Sequence, residues 1–145
     1  MKYKIPIILV ILWTLFIFGQ SALPGEVSSD QSGFIVDVLY PFMSRIGINI
    51  NQDTFSFIIR KLAHFTEYFI LGSLLHLIYL KFNRGIWFII LQGFTTACMD
   101  ETLQLFIPNR SGELRDVMID TSGVLLSIVV VFILMKIIKK EAKIN

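Results

Sequence analysis

Two carboxylates in tandem, Asp100 and Glu101, stand one helical turn before Gln104, and the chain then supplies Arg110, Arg115, Asp116 and Asp120. Upstream, Lys61, His64, Glu67 and Tyr68 follow one another at helical spacing. An imidazole oriented by a carboxylate can act as a general acid or base near neutral pH. Arginine and lysine recognise phosphate and carboxylate, arginine through two parallel N–H bonds. His64, Glu67, Asp100 and Glu101 are therefore the candidate catalytic groups. Lys61, Tyr68, Gln104, Arg110, Arg115, Asp116 and Asp120 are the candidate binding groups. No residue is assigned as a metal ligand by a recognised spacing, although Asp116 and Asp120 could instead join a divalent cation site. There is no G-x-S-x-G, H-E-x-x-H or phosphate loop, and no cofactor can be named from the sequence.

The elements that carry these groups are hydrophobic. Of 145 residues 54% are hydrophobic, with 13 Phe, and the mean hydropathy is +0.70. Apolar runs cover residues 5–23, 62–80 and 117–138, and a shorter one, 86–99, reaches spanning length if its helix continues to 107. A bilayer core of about 30 Å needs about 20 helical residues. The expected fold is all-α: one polytopic membrane domain over 1–145, with spans at about 5–23, 57–80, 86–107 and 117–138. The first run has a basic start and small residues Gly19 and Ser21, as a signal peptide would, but it is long enough to be a retained anchor. A net charge of +2 with no basic stripe excludes a nucleic-acid binder, and the single cysteine, Cys98, excludes an internal disulfide.

Basic residues in short loops set orientation. With four spans, Lys2, Lys4, Lys81, Arg84, Lys136, Lys139, Lys140 and Lys143 fall on one side, against Arg45, Arg60, Lys61, Arg110 and Arg115 on the other. Both termini are then cytoplasmic. Of the 11 acids only Glu141 lies inside, so charge accumulates at the extracytoplasmic ends of the helices.

At about 100° per residue, Lys61, His64 and Tyr68 share one stripe, with Glu67 about 60° beyond His64. Asp100 and Gln104 share a face and Glu101 points away from it. Asp116, Asp120 and Gly123 form another stripe, the glycine allowing close helix approach. Ionisable groups cost about 2.5–3.5 kcal/mol at the bilayer centre, so such stripes must face protein or water. Pro108 ends the third span and "NRSG" is a turn, which brings two helix mouths together. The plainer alternative is that Arg110 or Arg115 pairs with Glu101 or Asp116 merely to hold helices. Glu113 and Arg115 also read as solvated loop charges, His76 as a packed histidine, and Cys98 as a buried small hydrophobe. Trp13, Trp87 and Tyr3 read as interfacial anchors.

Between the first two spans, Ile35, Val38, Leu39, Phe42 and Ile46 follow the period of an amphipathic helix. Ser28, Ser29 and Asp30 offer caps and Pro41 a kink. This predicts an interfacial or re-entrant helix on the outer surface, either a lid over the cluster or simply packed against the span ends.

"KLAHFTEYFILGSLL" and "DETLQLFIPNRSGELRDVMIDTSG" resemble the VanZ-like membrane proteins of bacteria. The family pattern D-E-x-x-Q, then Arg, Asp, a second Asp and Gly is met by Asp100, Glu101, Gln104, Arg110, Asp116, Asp120 and Gly123. Lys61, His64, Tyr68 and Gly72 match the upstream signature, and Ser127 stands where many members carry a glycine. The family is named after a protein associated with resistance to teicoplanin. The resemblance implies a small multipass protein tied to antibiotic susceptibility of the cell envelope, and no particular reaction.

Three functions follow as expectations. An outward-facing site could bind an anionic membrane lipid or lipid-linked cell-wall precursor. His64 with Glu67, Asp100 or Glu101 could instead serve a membrane-embedded hydrolase or transferase. A transporter would use Glu67, Asp100 and Asp120 as relay groups, but the inner half offers only His76, so it would need a path at the contacts of a homo-oligomer.

Overall fold

Residues 4–48, 50–82 and 85–142 are described by a computed structural model. Among the described residues five helices follow one another: α1 Lys4–Ser21, α2 Gly25–Arg45, α3 Gln52–Phe82, α4 Ile86–Gln104 and α5 Leu114–Glu141. No strand occurs among the described residues. α1 and α5 are long and apolar enough to cross a membrane. In α3 and α4 the ionisable groups interrupt the apolar sequence, which is why length and composition alone do not single them out.

The exterior is apolar where that of a water-soluble bundle is polar, and several acids are buried. Leu12 and Leu15 of α1 and Phe132 and Ile138 of α5 point outward, whereas Asp100, Glu101, Gln104, Asp116 and Asp120 are buried. Polar groups leave water without a large penalty only if partners or an ion replace it, so the helices must meet along their polar stripes. α3 is the hub, packing against all four other helices and most extensively against α5. Glycines set that closeness: a methyl at Gly123 would collide with the Phe65 carbonyl, and one at Gly72 with the Ser127 side chain. Ser127 thus takes the place of a glycine by facing one. Apolar residues including Val10, Ile17, Leu71, Leu75, Ile89 and Val124 fill the core between these contacts.

Several boundaries differ from those read in sequence. α2 begins at Gly25 behind Pro24, so Ser28, Ser29 and Asp30 lie inside the helix and do not cap it. The Pro108 carbonyl accepts the Gly25 N–H at 3.1 Å, so the start of α2 is fixed by the α4–α5 hairpin. Pro41 sits within α2. The stripe Ile35, Val38, Leu39, Phe42 and Ile46 is exposed, while Ser32 and Val36 face the protein. α4 ends at Gln104, before Ile107, because the N–H groups of Phe106 and Ile107 turn back to the Leu103 and Gln104 carbonyls.

Trp13, read as an interfacial anchor, is half-buried. It packs against the core and donates its indole N–H to the Glu67 carbonyl at 2.9 Å. Trp87 is exposed in the first turn of α4. His76 is buried with Nδ1 2.9 Å from the Gly72 carbonyl, and Cys98 is half-buried rather than enclosed. Lys2, Tyr3, Arg84 and Lys143, used above for orientation and anchoring, lie outside the described residues.

Candidate functional site

The hairpin between α4 and α5 positions the polar groups. Asn109 adopts φ 57°, a left-handed conformation that asparagine tolerates, and its amide donates to Glu26 Oε1 at 3.1 Å. Arg110 then reaches α1, donating Nε to the Leu23 carbonyl at 3.2 Å and Nη2 to the Gln20 carbonyl at 3.0 Å. A guanidinium at a helix C-terminus satisfies orphan carbonyls and opposes the helix dipole. Burial pushes Arg110 down from its ordinary pKa, while the charge of Asp100 acts in the opposite direction. The expected pairing of Arg110 with Glu101 or Asp116 is not the one observed. Two helix-end carbonyls take its N–H groups, because the turn lifts its side chain toward α1.

Lys61 pairs with Asp116, joining α3 to the first turn of α5, beneath the Phe57 ring. Glu101 accepts the Gln104 amide at 3.1 Å and the backbone N–H of Glu113 at 2.8 Å. Asp116 is thus engaged by a lysine, which argues against its sharing a cation with Asp120.

A second layer lies deeper. Tyr68, Asp100 and Asp120 have no exposed surface. The Tyr68 hydroxyl, the Ser21 hydroxyl and both oxygens of each aspartate find no hydrogen-bond partner of normal geometry among the described groups. His64 Nδ1 is also unpartnered, 4.0 Å from Glu67 Oε2. One ring nitrogen of His64 and one oxygen each from Asp100 and Asp120 lie within 4.8 Å of one another.

His64 and Arg110 stand on the walls of two neighbouring cavities. One, of about 240 Å³, is also lined by Arg60, Lys61, Gln104, Asn109, Ser111 and Asp116. The other, of about 180 Å³, shares Ser28 and Arg60 with it and adds Glu67, Gln20 and the α2 residues Gln31, Ser32 and Ile35. α2 therefore forms a wall over the histidine. The candidate residues divide into a mouth (Lys61, His64, Glu67, Gln104, Arg110, Asp116) and a buried layer (Tyr68, Asp100, Glu101, Asp120). Arg115 belongs to neither. It is exposed, 2.8 Å from Glu113 and over the Phe57 ring.

Sequence reasoning overlooked Arg60, Asn109 and Ser111 as cavity residues, and Ser21 as a polar neighbour of Asp100. Arg60 adjoins Lys61, and the turn signal "NRSG" contained the other two. Nothing local marks Ser21, which meets Asp100 only through packing.

The sequence model of the family described as VanZ/LLP1 matches residues 6–136. The chain belongs to the VanZ/LLP1 family. Neither the curated proteins nor the solved structures provide a match. The VanZ/LLP1 match spans every candidate residue from Lys61 to Asp120. Both the mouth and the buried layer therefore belong to the family domain.

Proposed function

We propose that this VanZ/LLP1 protein protects the cell envelope, including against teicoplanin-type glycopeptides, by binding the anionic headgroup of a membrane lipid or lipid-linked precursor at an outward-facing cavity. α1, α3, α4 and α5 cross the bilayer, both termini are cytoplasmic, and α2 lies along the outer surface with its apolar stripe in lipid. Supporting that placement are the exposed Ile35, Val38, Phe42 and Ile46 and the lysines Lys136, Lys139 and Lys140 at the far end of α5.

The observation that carries the reading is the convergence of Arg60, Lys61 and Arg110 on one cavity. Lys61 is held by Asp116 and Arg110 by carbonyls, but among the described residues Arg60 has one long bond, 3.4 Å to Ser29 Oγ. It is the cation most available to a phosphate. Drug-sized ligands occupy pockets of about 300–1,000 Å³. A cavity of about 240 Å³ fits a headgroup fragment, and acyl chains would lie along the apolar outer faces. A second reading, a hydrolase or transferase acting on such a lipid, draws on the unpartnered His64 nitrogen beside Glu67.

Cells expressing the wild-type chain or Arg60→Ala at equal membrane levels are compared for teicoplanin susceptibility. Protection by the wild type and its loss in the variant support the proposal; equal susceptibility contradicts it.

A further inference from the structure

We propose that His64, Asp100 and Asp120 bind one divalent transition-metal ion of the zinc type, behind the cavity wall that His64 forms. The three side chains come from three different helices, α3, α4 and α5, and their nearest ligand atoms already lie within 4.8 Å of one another. Zinc held by nitrogen and oxygen at about 2.0–2.1 Å in a tetrahedron places its ligand atoms about 3.4 Å apart. The remaining gap of about 1.4 Å is of the size that side-chain rotation spans.

The electrostatics point the same way. Asp100 and Asp120 are wholly buried; Ser21, Gln104 and Tyr68 lie close to Asp100, but among the described residues none of the four carboxylate oxygens has a hydrogen-bond partner of normal geometry. The cations that could neutralise them are committed elsewhere: Lys61 to Asp116, and Arg110 to the carbonyls of Gln20 and Leu23. The charges of Arg110 and Asp100 do attract each other, but among the described residues no cation pairs directly with either carboxylate, and two buried carboxylates with so little counter-charge are costly. One dication balances both. An imidazole with two carboxylates suits Zn²⁺ or Mn²⁺ better than Mg²⁺, which favours all-oxygen shells and retains its waters. Ser21, Gln104 and Tyr68 surround Asp100 with polar side chains that can orient it, as outer-shell groups do in metal sites. Three protein ligands would leave one coordination position free for water or another small ligand.

The cations of the lipid reading, Arg60, Lys61 and Arg110, are not ligands of this site, although His64 also lines the headgroup cavity. The competing account is that Asp100 and Asp120 hold protons in place of an ion.

The full-length protein in detergent is stripped with a chelator and dialysed against Zn²⁺ or Mn²⁺. Bound metal is counted by plasma mass spectrometry, and the unfolding midpoint is read with and without the ion. The expected result is one ion per chain and a raised midpoint for the wild type and for the exposed control Asp37→Asn. Asp100→Asn, Asp120→Asn and His64→Gln should each lose the ion and the midpoint shift. Wild-type protein that takes up neither ion, or uptake unchanged in all three ligand variants, overturns the proposal. Should the variants fail to fold, the wild-type stoichiometry and midpoint shift still decide it. Lipid retention measured on the same samples separates this outcome from the fate of the lipid-binding reading.

Discussion

Glu101, buried on α4, accepts the backbone N–H of Glu113 at 2.8 Å and so holds the start of α5 through a side chain of the preceding helix. Glu113 is the N-cap residue of α5 and makes no capping bond with its own side chain. The carboxylate does part of the work of a cap from outside the helix. Glu101→Ala should cost about 1–3 kcal/mol, because a partly buried N–H and the Gln104 amide lose their acceptor. Glu101→Gln, which retains a carbonyl oxygen, should recover most of that stability. Thermal unfolding of the purified variants in detergent measures both.

Gly123 and Gly72 make different kinds of close contact. At Gly123 the obstacle is the Phe65 backbone, which cannot step aside; at Gly72 it is chiefly the Ser127 side chain. Gly123→Ala should destabilise by about 1–3 kcal/mol, the usual cost of overpacking. Gly72→Ala should be partly rescued by adding Ser127→Gly. A double-mutant cycle on unfolding midpoints reads the coupling, and additive effects would show that the two positions do not meet.

The Lys61–Asp116 pair is mostly buried, with side-chain exposures of 21% and 9%. Lys61→Met alone should cost about 3 kcal/mol by leaving Asp116 unpaired, and Lys61→Met with Asp116→Leu should lie closer to wild type. Urea-dependent unfolding of the three proteins provides the comparison.

Orientation has its own test. In a Cys98→Ala background, Ser111→Cys at the cavity rim should react with a membrane-impermeant maleimide in intact cells. Lys140→Cys should react only after permeabilisation. Reversed labelling would turn the cavity toward the cytoplasm.

The helices and the polar stripes were legible in the sequence because both rest on short-range periodicity. Lys61, His64 and Tyr68 had to share a face, as did Asp100 and Gln104, and the hairpin at "NRSG" had to bring α4 and α5 together. What could not be read was the choice of partners. Arg110 has several acids within its reach in principle, yet Gln20 and Leu23 take its N–H groups across 90 and 87 residues. Trp13 reads as an interfacial anchor in sequence, yet it packs against the core with its indole N–H on the Glu67 carbonyl. The His64, Asp100 and Asp120 set needs three helices at one depth, which no spacing within a single helix encodes.

Occupation of the cavity by an anionic headgroup is measured most directly by native mass spectrometry of protein released from nanodiscs containing phosphatidylglycerol and phosphatidylcholine. One phosphatidylglycerol should remain bound to the wild type, and Arg60→Ala should reduce its retention about tenfold or more, the loss of one charge-assisted contact. Equal retention of the two lipids by the wild type, or a phosphatidylglycerol signal unchanged in Arg60→Ala, would contradict the account.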